Sequence, residues 1–495
     1  MVRAHKSQPR LLLNSRCNAA VLAVCFAISQ LPGIMAAQSR DENWNRCKDN
    51  NPDLRIGACT ALIQSGQEST VSLAAAFNNR GIGYHDKGQY DLAIADYGQA
   101  LRLSPNDAPA FNNRGVSYDD KGDYDNAIAD YNQAIRLKPD YAEAFNNRGN
   151  VYENKGLYEQ AIPDYNQALR LKPNYPQAYN NRGLAYENMN QIDQAIADYT
   201  QAINIKPDYP DALNNRGIEY AAKSLYDQAI SDYTQAISLR PDFAFAFNNR
   251  GLSYAEKRLY DQAISDYTQA IRIKPDFAFP FNNRGLSYAA KQLFDLAISD
   301  YTQAVRIKPD YAIALDNRGN AYASKEQYDL AITDYSAAIS LKPDYAFALQ
   351  GRGAAYDSKG KFEEAIADFD QMIRINPRDA NAWNARCWDR AILGRLQTAL
   401  TDCNQSLSLQ ADAENTLDSR GFVYLKSGKY DLAITDYTAA LRIDTKIASS
   451  LYGRGLAKQK TGDSAGAAAD IAAAKKIQPD IAEQFAKWGV PASRP

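Results

Sequence analysis

The chain of 495 residues is poor in the residues that usually carry chemistry: two histidines, six cysteines, four methionines and four tryptophans. One of the histidines, His5, precedes the first repeat, which leaves His85 alone in the body of the chain. No glycine-rich phosphate loop, metal-ligand spacing or nucleophile motif occurs, so neither an enzyme nor a bound cofactor or metal is expected. There is no excess of positive charge either. The formal net charge is −2, which gives nucleic acid no basic field to follow. Charged residues at 23% and aromatics at 11% exclude a disordered chain.

Long apolar runs are confined to the N-terminus. Residues 1–16 carry Lys6, Arg10 and Arg16 without an acid, and an apolar stretch follows from Ala19 to Ile28 and continues weakly to Ala37. Pro32 and Gly33 break it before Ile-Met-Ala-Ala-Gln at 34–38. A basic start, a short apolar core and small residues at the exit describe a signal peptide over 1–37, cleaved near Ala36 or Ala37. The alternative is an uncleaved anchor, the only membrane attachment the chain offers, although the run is short for a span. Loss of 1–37 removes four positive charges and no acid, together with Cys17 and Cys25. The expected location is therefore exported, periplasmic or secreted.

What the chain has in abundance is one phrase. Phe-Asn-Asn-Arg-Gly stands at 77–81, 111–115, 145–149, 247–251 and 281–285, and variants fill the intervals. The equivalent of Phe77 recurs every 34 residues through Phe111, Phe145, Tyr179, Leu213, Phe247, Phe281, Leu315, Leu349, Trp383 and Leu417 to Leu451, without insertion or deletion. A fixed period of this size marks a stack of supersecondary units, none of which buries its apolar face alone. In residues 142–175, Phe145, Gly149 and Tyr152 share a face of one helix, and Ala161, Tyr165, Ala168 and Leu169 share a face of a second. Lys155-Gly156 makes the turn and Pro173 stops the second helix.

With a bulky residue at position 4, Gly at 8, Tyr at 11, Ala at 20, Tyr at 24, Ala at 27 and Pro at 32, the pattern resembles the tetratricopeptide repeat, here of an exported bacterial kind. It runs over 74–481 as twelve copies. The resemblance implies an all-α, right-handed superhelical solenoid of helix-turn-helix repeats. Residues 38–73 read as a degenerate helical pair ahead of it, and 482–495 as a capping helix and tail with Phe485 in register. Pro163 lies inside a second helix and is expected to kink it.

Arg stands at position 7 and Asp at position 23 in every copy. Their positions place them at one height of the hairpin, which predicts ion pairs such as Arg80–Asp96, Arg148–Asp164 and Arg250–Asp266. Cysteines pair by the same logic. Cys47 and Cys59 lie on antiparallel helices, while Cys387 and Cys403 replace the Gly and Tyr usual at positions 8 and 24; both are disulfide candidates in an exported chain.

The resemblance further implies a non-enzymatic scaffold that holds a peptide or protein in a concave groove lined by first helices. Candidate groove residues are the amides Asn78, Asn112, Asn146, Asn180, Asn214, Asn248 and Asn282, which would hold an extended backbone or else be solvated or cap neighbouring helices. Acids at Asp119, Glu153 and Glu187 give way to Ala221, Ala255, Ala289 and Ala323. Phe245, Phe279, Ile313 and Phe347, with Leu252 and Leu286, then form an apolar zone, unless the phenylalanines only pack between repeats. A monomer is expected, with a self-associating structural solenoid as the alternative.

Overall fold

A computed structural model describes residues 39–490; residues 1–38, with the expected signal peptide, and the last five residues lie outside it. The described residues form 27 α-helices and no strand. A short helix, Arg40–Arg46, and one of full length, Pro52–Ser65, come first. Twelve helix pairs follow at the 34-residue period, and Ile481–Lys487 closes the series. This is an all-helical solenoid. It divides into two compact units, one ending at Lys257 and the other starting at Arg258.

Within each unit the hairpins close on a contact between position 8 and position 24. The position-24 tyrosines, Tyr131, Tyr165 and Tyr199 among them, are fully buried. A Cβ added at Gly115, Gly149 or Gly183 would stand 2.7–2.8 Å from the facing ring. Glycine is thus required there because the helices cross on an aromatic ring. Alanines at positions 20 and 27, such as Ala161 and Ala168, are buried for the same reason.

The turn between the two helices needs a left-handed residue at position 15. Glycine supplies it in seven repeats, as at Gly156 with φ 73°. Five consecutive repeats use another residue at the same place: Asn190, Ser224, Arg258, Gln292 and Glu326, all with φ of 58–60°. A side chain in this region costs roughly 1–2 kcal/mol, offset in part by the lower entropy of the unfolded chain. Ser224→Gly is therefore expected to stabilise its hairpin by about 1 kcal/mol. Slower hydrogen exchange in Pro210–Ala222 and Tyr226–Leu239 would show it, and unchanged or faster exchange would refute it.

Pro163 does not interrupt its helix. Tyr158–Leu171 keeps the length of its counterparts. The proline falls in the second turn, so only one backbone hydrogen bond, to Glu159, is lost there. Pro176 and Pro210 open their helices at the first position, where the missing N–H has no helical partner anyway.

Candidate functional site

The arginine at position 7 is the tie of the stack. Arg80 reaches Asp96 through Nε and Nη2 at 2.7 and 2.8 Å, and Arg148 reaches Asp164 at 2.7 and 2.6 Å. The same fork joins Arg182 to Asp198 and Arg318 to Asp334. The pair expected between Arg250 and Asp266 joins residues of different units and stays an expectation. Arg80 Nη1 donates to Thr60 and position 25 before Arg114 is Gly98, but from Arg148 to Arg454 each guanidinium has a third hand that sequence reasoning missed. Nη1 donates to position 25 of the preceding repeat, from Arg148 to Asn132, Arg182 to Asn166 and Arg250 to Thr234. One side chain therefore binds its own hairpin and the neighbour's second helix. Burial pushes the Asp198 carboxyl up, against the pull of its arginine.

The amides are not free in a groove. Asn112, Asn146, Asn180, Asn214, Asn248 and Asn282 are buried, and Asn78 is half-buried. The second asparagine of the next repeat donates to the first: Asn113 to Asn78 at 3.2 Å, Asn147 to Asn112 at 3.1 Å, Asn181 to Asn146 at 3.2 Å and Asn249 to Asn214 at 3.2 Å. In the second unit Asn317 donates to Asn282 at 2.9 Å. Buried amides need partners, and here each copy supplies them to its neighbour. In the next repeat Gly351 holds position 6 and carries no amide, so Asp316 takes a hydrogen bond from Tyr345 instead. Burial raises Asp316 to about 6.

Of the acids of the expected entrance, Asp119 and Glu153 are half-buried. Glu187 is buried and accepts from Tyr199 at 2.8 Å, and Glu153 accepts from Tyr165 at 2.9 Å. These carboxylates serve tyrosine hydroxyls of their own hairpins. Of the apolar residues, Phe245, Phe279 and Leu252 are half-buried. Phe279 stacks edge-on against Tyr311 at 5.3 Å, and Phe245 packs on the cluster around Phe243. Packing between repeats claims these two phenylalanines.

Phe347, Ile313 and Leu286 behave differently. They are 71%, 51% and 45% exposed, on the first helices of three successive repeats. Beyond them the chain covers itself. Ile481–Lys487 lies on Ala448–Thr461, and the Trp488 that follows it meets Trp388 at 4.9 Å and Phe422 at 5.9 Å. Phe485 sits edge-on to Phe422 and against Tyr452. Lys426 fastens the end by donating to the Trp488 carbonyl.

Cys47 and Cys59 stand at disulfide distance, as do Cys387 and Cys403. The second pair occupies the place of glycine and tyrosine in other hairpins. Beside it Arg390, where tyrosine is usual, shares Asp402 with Arg386.

Family models match over most of this array. The TPR repeat model matches 83–122, 117–156, 319–357 and 421–462, and tetratricopeptide repeat models match 142–175, 176–209, 210–243, 244–277, 281–311 and 346–379. The chain belongs to the tetratricopeptide repeat family. Similar solved TPR arrays include YrrB, described as a TPR protein with an unusual peptide-binding site, at 24% identity over 40% of this chain and 97% of that one, with a TM-score of 0.33. MamA matches at 28% identity over 34% of this chain and 92% of its own, with a TM-score of 0.32. The Cut9–Hcn1 hetero-tetramer of APC/C matches at 15% identity over 86% and 97%, with a TM-score of 0.43. No curated protein matches the chain. Among the described residues no helix is long and apolar enough to cross a membrane.

Proposed function

We propose that this TPR array is a non-catalytic scaffold, exported to an oxidising compartment, that binds a segment of a protein partner across the first helices of repeats seven to nine. The observation that carries this reading is the open row Leu286, Ile313 and Phe347. An apolar row left exposed on three successive first helices marks a partner surface. The reading is supported by the repeats that follow, where the chain lays its own Phe485 and Trp488 on Trp388 and Phe422. Both cysteine pairs at bonding distance support the compartment. YrrB, described by its peptide-binding site, offers a parallel for the mode of use.

The test is an array of random twelve-residue peptides probed with the full chain. Wild type is expected to retain peptides with apolar or aromatic anchors. Phe347→Glu with Ile313→Glu should weaken them at least tenfold, as loss of a central anchor does. Retention unaffected by the double substitution would move the site elsewhere. A dimer in sedimentation that the same substitutions dissociate would favour self-association.

A further inference from the structure

Motif position 12 carries alanine in repeats five to eight and returns to a carboxylate at Asp357 in repeat nine. The next repeat places Asp389 at position 10 of Ala380–Ile392. Asp389 is 0% exposed and faces the Asp357 carboxyl, and apart from each other neither its carboxyl oxygens nor Oδ1 of Asp357 meets a donor from the chain. The cations on the helices packed around them are engaged elsewhere. Arg386 and Arg390 hold Asp402 and Asp370, Arg352 holds Asp368, Arg318 holds Asp334, and Lys359 reaches Asp329. Lys426 gives its protons to the carbonyls of Ala391, Ile392 and Trp488, and Asp418 accepts from Ser449 and Ser450.

Two carboxyls in this setting do not both ionise without a counter-charge. Burial pushes Asp357 up to about 6. Burial, and next the Asp357 charge, push Asp389 up to about 9. In the free protein near neutral pH one proton serves both. A metal would need further ligands, and no group of three or more His, Cys, Asp or Glu that could hold one occurs among the described residues. A single ammonium or guanidinium brings both the charge and the donors the pair lacks.

We propose that Asp357 and Asp389 receive a lysine or arginine side chain of the segment bound over repeats seven to nine, and that this cation replaces the proton the pair shares. No covalent bond changes; the displaced proton passes to solvent. The inference rests on the scaffold reading above and specifies the ligand. Phe347 and Asp357 share the helix Ala346–Ser358 ten residues apart, a rise of about 15 Å. An extended segment covers that distance in about four or five residues. The ligand should therefore carry a basic residue four or five positions from an apolar one.

The same peptide array provides the test. Wild type should enrich Lys or Arg at that spacing. Binding of a selected peptide should tighten by up to tenfold per pH unit between about pH 6 and 9, since one proton is displaced. Asp389→Asn, which is isosteric, should lose both the basic preference and the pH slope while apolar peptides still bind. Asp357→Asn, at a half-exposed position, provides the same readout should the first variant fail to fold. Enrichment without basic residues, or a preference unchanged in these variants, overturns the site and leaves the scaffold standing. If no peptide binds wild type, the scaffold reading falls, and this inference falls with it.

Discussion

Arg182→Ala is expected to destabilise repeat four and its neighbour by about 3–5 kcal/mol, because it strands a buried carboxylate. Asp198 is buried, and Arg182 supplies it with two hydrogen bonds of 2.6–2.7 Å. The same guanidinium holds Asn166 of repeat three at 2.5 Å and lies against Tyr179 and Tyr186. Repeat arrays open locally, so a global melting curve is the wrong measure. Hydrogen exchange resolved by helix should show protection lost in Pro176–Asn188 and Ile192–Ile205, and also in Tyr158–Leu171. The double variant Arg182→Met/Asp198→Leu should recover most of the loss, since it removes both charges and fills the space. Unaltered protection in the alanine variant would mean that the fork carries no stability.

The second large effect concerns repeat ten. Reduction of the wild-type protein, or Cys387→Ala with Cys403→Ala, is expected to destabilise that hairpin by roughly 3 kcal/mol, the value for a loop of this length. The cysteines are 16 residues apart and both fully buried. Elsewhere the same two places hold glycine under a tyrosine ring, so Cys387→Gly with Cys403→Tyr should restore packing by the other solution. In that variant hydrogen exchange of Ala380–Ile392 and Leu396–Leu409 should not change when reductant is added, while in wild type it speeds up. Wild-type exchange in this hairpin indifferent to reductant would show Cys387 and Cys403 to be free thiols, and would remove a support for the oxidising compartment.

The fold was legible because its signal repeats. A helix pair with a strict period leaves little freedom in where helices start and stop. The residues that face a partner were harder to read, for a physical reason. Positions 5 and 6 differ by 100° on the helix, and both border the seam where one first helix meets the next. Sequence shows an amide at each but not that Asn147 reaches back to Asn112, because that bond depends on how closely neighbouring repeats approach. Phe279 and Phe347 hold the same motif position, yet one stacks on Tyr311 while the other stands in solvent. Asp357 and Asp389 carried a signal that could have been found: a carboxylate returning after four alanines, beside a second acid one repeat on.

The left-handed turns have a mechanical consequence. Glycine relieves the turn at both ends of the series, while five hairpins in a row, from Asn190 to Glu326, hold a side chain there. Under tension applied to the chain ends, those central turns are where stored strain lowers the cost of letting go. Each hairpin that gives way releases 34 residues, roughly 110–120 Å of extended chain. An array built in this way is expected to yield first from the middle, in steps of one period.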